Sequence, residues 1–140
     1  MRSGSWRIRL VALSDLLVAI LVGVPCAATL YAIRSGRFHN HWVEPNAFAR
    51  TQEWGLLLCL ACVTVGLGLW TFHRWSRWIE TLLFIPKLYC AYLFFYVFAI
   101  SGSWFHLVIA IAVATDAGLV VLLWSAKVQA TFGVNSRAAE

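Results

Sequence analysis

Charge is what this chain has least of. Only 12% of its 140 residues are Asp, Glu, Lys or Arg, while 61% are hydrophobic, and soluble domains carry roughly 25% charged residues. A soluble fold would have to hide several apolar runs of about 20 residues, each long enough to cross the roughly 30 Å hydrocarbon core of a bilayer. The runs also lack the alternation and short segments of outer-membrane barrel strands, which favours helices over a β-barrel. No linker, low-complexity segment or internal repeat separates them, so the chain is one domain. Catalytic signatures are missing as well: there is no H-E-x-x-H, nucleophile elbow, glycine-rich phosphate loop or polyacidic metal motif. No span carries a histidine at depth, which disfavours a haem held by two midmembrane histidines.

What is present is a set of four spans, at about 10–33, 54–72, 79–100 and 104–124. The expected fold is all-α, an integral membrane four-helix antiparallel bundle, with each span long enough as a helix at about 1.5 Å per residue. Trp6, Trp54, Trp70, Trp75, Trp78, Trp104 and Trp124 fall near the span ends, at the headgroup level that amphipathic rings prefer. Only Trp42 lies elsewhere, in the longest loop. From Pro45 that loop either begins the second helix early or lies along the interface. The basic link "HRWSRW" and the tight turn "SGSW" join neighbours as antiparallel hairpins.

The net charge of +5 sits beside the apolar runs, which suits lipid headgroups rather than nucleic acid. With the N-terminus inside, Arg2, Arg7, Arg9, Arg74, Arg77, Lys127 and Arg137 lie on the cytoplasmic side, against Arg34, Arg37 and Arg50 outside. Both termini are therefore predicted cytoplasmic, in a bacterial inner membrane. The first apolar run continues past "PCAA" and reads as an uncleaved anchor rather than a signal peptide.

Polar groups inside the spans are the exceptions that need explaining. Lys87 follows Pro86 in "TLLFIPKLYCAYLFFYVFAIS", and Asp116 lies in the fourth span. A charge at the bilayer centre costs about 2.5 to 3.5 kcal/mol on insertion scales, and the depths of these two residues match, which predicts a Lys87–Asp116 pair. Glu80, seven residues before Lys87, returns to the same helix face. Asp15 continues as a stripe through Ala19, Val22 and Cys26. The result is a polar seam of Asp15, Glu80, Lys87 and Asp116, which Tyr89 or Tyr92 would join if the Pro86 kink turned that face inward. Three readings of the seam stay open: a structural ion pair, a pocket for a polar ligand head or proton relay, and snorkelling from a shifted span.

Cys59 and Cys62 form a C-x-x-C, a spacing that in membrane oxidoreductases serves thiol exchange, but no loop offers a partner dithiol. Gly55, Cys59, Cys62 and Gly66 instead make a stripe of small residues for close helix approach. Ala110, Ala114 and Gly118 make a second ridge on the fourth span, nearly opposite Asp116, so that span is either central or faces another subunit. His39, His41 and His106, with Glu44 and Glu53, are the only candidate zinc or copper ligands. A lone H-x-H in a loop describes solvated histidines better than a metal site, and no metal or other cofactor is assigned.

In length, in its four antiparallel spans and in the acid of "ATDAGLVVLLW", the chain resembles the DoxX-like and BphX-like small bacterial membrane proteins. The resemblance covers roughly residues 10–127. Some members of those families accompany oxidoreductase systems, and no functional residue is transferred. The expectation is a noncatalytic membrane protein, acting as an accessory or assembly subunit or binding a small lipophilic molecule at the seam. The alternatives are an intramembrane enzyme or redox protein for a lipid-like or quinone-like substrate, using Asp15, Glu80 or Asp116, and an oligomeric proton-coupled transporter. Expected partners are the bilayer, a second copy or a larger membrane complex.

Overall fold

The computed structural model of the chain describes residues 5–37, 44–126 and 128–130. Four helices follow in order: α1, Ser5–Arg34; α2, Pro45–Trp70; α3, Arg74–Ser101; and α4, Trp104–Leu123. All four are long and apolar enough to cross a membrane. Each helix runs antiparallel to the next. α1 packs on α2 and α4, and α3 packs on α4 and α2, closing the four into a ring.

The helices begin ahead of the apolar spans expected from the sequence. The second starts at Pro45, the earlier of the two courses open to that loop, rather than near residue 54. Proline suits a first helical position because its fixed φ is already helical and its missing N–H would be unpaired there, and the preceding Glu44 is extended. The segment "HRWSRW" is not a link, because α3 starts at Arg74. A helix continues past the apolar core wherever its ladder is unbroken, so hydropathy underestimates its length.

The turns explain how short the hairpins are. After α2, Phe72 adopts a left-handed φ of 60°, His73 N–H donates to the Gly68 carbonyl, and Phe72 N–H donates to that of Leu69. These bonds close the helix end in a Schellman-type cap, with phenylalanine where glycine is usual. Gly68 is needed there: a Cβ would lie 2.9 Å from Ser76 Cβ and from the Trp75 ring. After α3, Gly102 takes φ 66° and its N–H donates to Phe98 O, so the glycine of "SGSW" makes the turn without Cβ strain.

Buried residues recur at steps of three and four. On α1 they include Ile8, Val11, Asp15, Val18, Val22 and Cys26; on α4, Ile109, Val113, Asp116, Val120 and Leu123. That is the seam of an antiparallel bundle. Two apolar clusters fill it. One, toward the end bearing the chain termini, contains Ile8, Val11, Ala12, Val65, Leu69 and Leu123. The other, toward the far end, contains Val18, Val22, Cys26, Cys59, Cys62, Ala91, Ile109 and Val113. Along α1 and α4 the buried acids fall between the residues of the two clusters. Large apolar side chains such as Leu13, Leu17, Ile20, Leu82 and Ile85 point outward, forming the surface a bilayer would cover.

Candidate functional site: a lysine enclosed by three carboxylates

The helix seam itself positions the polar groups. Asp15 and Asp116 occupy core steps of α1 and α4, and on α3 Ser76, Glu80, Lys87 and Ala91 share the buried face. Lys87 Nζ lies 2.5 Å from Asp15 Oδ1, 2.5 Å from Glu80 Oε1 and 2.7 Å from Asp116 Oδ2, and all four side chains are 0% exposed. One ammonium therefore links α1, α3 and α4 and also ties α3 to itself across two turns. α2 closes the fourth side. A Cβ on Gly66 would stand 3.1 Å from Ala12 O and 3.3 Å from Asp15 Cβ, so this glycine lets α2 press against the turn of α1 that carries Asp15.

The three carboxylates are not equivalent. Lys87 donates hydrogen bonds to Asp15 and Glu80. Asp116 is in ion-pair range, but neither of its oxygens is aligned to accept a hydrogen bond. Asp15 Oδ2 and Glu80 Oε2 are likewise buried without a partner among the described residues. The matched depths of Lys87 and Asp116 do bring them together, yet Asp116 has the least directional of the three contacts. Side chains on a helix lean toward its N-terminus, which carries the ammonium back toward Glu80 and Asp15. Matching backbone depths overlooks that displacement.

Tyr89 and Tyr92 do not join the cluster. At 100° per residue they stand about 200° and 140° round α3 from Lys87, and they are 62% and 61% exposed. Pro86 is also exposed, so it does not turn that face inward.

The small-residue stripe of α2 packs against α1. A Cβ on Gly55 would come within 2.7 Å of Cys26 Sγ, and one on Gly23 within 3.4 Å of Cys59 Sγ. Cys62 and Gly66 are buried on the same face. The four cysteines are free thiols. On α4, Ala110 is buried, but Ala114 and Gly118 are exposed, and a Cβ on Gly118 would meet nothing within 4 Å. Beyond Ala110 that ridge is not a packing surface within the chain, because Asp116 and its neighbours take the inward face.

His39 and His41 lie outside the described residues. His106 stacks on Phe94, at the end of α4 remote from Asp116. Asp15, Glu80 and Asp116 are the described His, Cys, Asp or Glu residues grouped closely enough to hold a metal ion. Lys87 Nζ lies at the point on which their oxygens converge.

Sequence reasoning did not find the contacts at the terminal end of the bundle. Trp124 Nε1 donates to Thr81 Oγ1 at 3.0 Å, Trp78 packs edge-on to Trp124, and the Arg77 guanidinium lies 4.8 Å from the Trp124 ring centroid. Arg9 similarly covers Trp70. Arg and Trp within reach of one another at span ends were the available signal. At the far end, Arg34 pairs with Glu53 on the surface.

Comparison with protein families, curated proteins and solved structures returns no match. The resemblance to DoxX-like and BphX-like proteins therefore gains no support from a family match.

Proposed function

We propose that the chain is a noncatalytic membrane protein, an accessory or assembly subunit in which Asp15, Glu80, Lys87 and Asp116 clasp the bundle together. The observation that carries this reading is their enclosure. The side chains that would bind a ligand head or serve as acid or base are 0% exposed, so no water-sized space adjoins them. A lipophilic ligand at the seam would need such a space, and an intramembrane enzyme would need a path for its substrate. The proton-coupled transporter is the second reading, supported by the unpartnered carboxylate oxygens. The arginines at the starts of α1 and α3 favour a cytoplasmic placement of both termini in a bacterial inner membrane. Contact with a second copy or a larger complex would suit the exposed Ala114 and Gly118.

Native mass spectrometry of the full chain released from nanodiscs tests the clasp against the pocket. The expected spectrum shows no stoichiometric small molecule whose retention depends on Lys87. A bound molecule present in the wild type and lost from a folded Lys87→Met variant would overturn the clasp in favour of a ligand site.

A further inference from the structure

The charges of the cluster do not balance. Three carboxylates surround one ammonium, so with every group ionised the closed site would hold two uncompensated negative charges. Other elements offer no relief. α1 contributes Asp15, α3 contributes Glu80 and Lys87, α4 contributes Asp116, and the titratable side chain that α2 turns toward them is Cys62, which brings no positive charge. A dry interior tolerates charge only when it is paired and hydrogen-bonded.

A second observation points the same way. The Asp116 carboxylate is fully buried and aimed at the ammonium, yet neither oxygen accepts a hydrogen bond, and Asp15 Oδ2 and Glu80 Oε2 are orphaned beside it. An ionised carboxylate can only accept, so these oxygens cannot satisfy one another. A protonated carboxyl gains a donor, and oxygens of the three acids lie within 4.8 Å of each other. Lys87 Nζ already holds the centre, so a metal ion would have to displace it. A proton would not.

We propose that the closed cluster is a proton-binding site, in which Asp15, Glu80 and Asp116 together hold two protons at neutral pH beside the Lys87 ammonium. Releasing them while the cluster stays closed would strand two negative charges away from water. Proton release and separation of the helices are therefore a single event, which gives this site a means of coupling bundle opening to pH.

The sequence supplies a clean test, because Asp15 and Asp116 are its only aspartates. Of two protons shared among two aspartates and one glutamate, at least one must sit on an aspartate. Infrared spectra of the full chain in nanodiscs at neutral pH, with and without 13C-carboxyl aspartate, read this directly. The expected result is a protonated-carboxyl stretch of two equivalents, with at least half of it moved by the label. Folded Asp116→Asn should show one equivalent, and folded Lys87→Met should show three. If the wild type shows no protonated-carboxyl stretch, or if the label moves none of it, the proposal is wrong, whatever the variants do. The clasp reading is tested separately by the energetic coupling between helices, which this spectrum does not measure.

Discussion

Lys87 shows why a single buried residue outweighs the many apolar ones around it. Its side chain has three N–H donors, two of which are used on Asp15 and Glu80, and its ammonium is within ion-pair range of all three acids. Removing one partner of a buried ion pair typically costs about 3–5 kcal/mol, because the carboxylate left behind must either stay buried without its counter-charge or take up a proton. Lys87→Met should fall in that range in detergent unfolding. Lys87→Arg should not restore stability, since a planar guanidinium is larger than the enclosed space; overpacking of about 1–3 kcal/mol is expected. A neutral Lys87→Arg variant would mean that the site has room the packing denies. Tyr89→Phe and Tyr92→Phe, whose hydroxyls lie on the outer face, should each change stability by less than about 0.5 kcal/mol.

At the scale of the helices, glycine position decides which faces meet. Gly66 touches α1 at Ala12 and Asp15, whereas a side chain on Gly118 would meet nothing within 4 Å. Gly66→Leu should therefore force α2 from α1 at a cost of about 1–3 kcal/mol and disturb the Asp15–Lys87 bond. Gly118→Leu should leave the thermal unfolding of the isolated chain unchanged. Comparable losses in both would mean that the small ridge of α4 is packed. The helices themselves were legible, because a continuous apolar run of membrane length has few alternatives. Their ends were less so. The proline left open whether a helix starts at Pro45, and nothing in hydropathy reports that Phe72 accepts a left-handed turn and lets α3 begin at Arg74. Capping geometry sets those limits, and it depends on backbone angles that composition does not encode.

Across the whole molecule, the polar groups fall on the same three-and-four spacing as the apolar core, lying along α1 and α4 between the two apolar clusters. The sequence carried this pattern for Asp15, whose stripe runs into Val22 and Cys26, and for Glu80 with Lys87 at a seven-residue interval. It did not rank the partners of Lys87, because ranking requires the direction of a side chain as well as its depth. The arrangement makes helix pairing depend on one shared charge. Orientation can be tested on the intact protein: reporters fused to either end should both report the cytoplasm, and opposite signals from the two ends would exclude an even number of spans. The clasp is tested most directly by a double-mutant cycle on thermal unfolding of the wild type, Lys87→Met, Asp15→Leu and the double variant. Coupling of about 0.5–3 kcal/mol is the range for groups in direct contact, and the double variant is predicted to lose less stability than the two single losses combined by an amount in that range. Single losses that simply add would contradict the account, because Lys87 and Asp15 would then not hold α3 and α1 together.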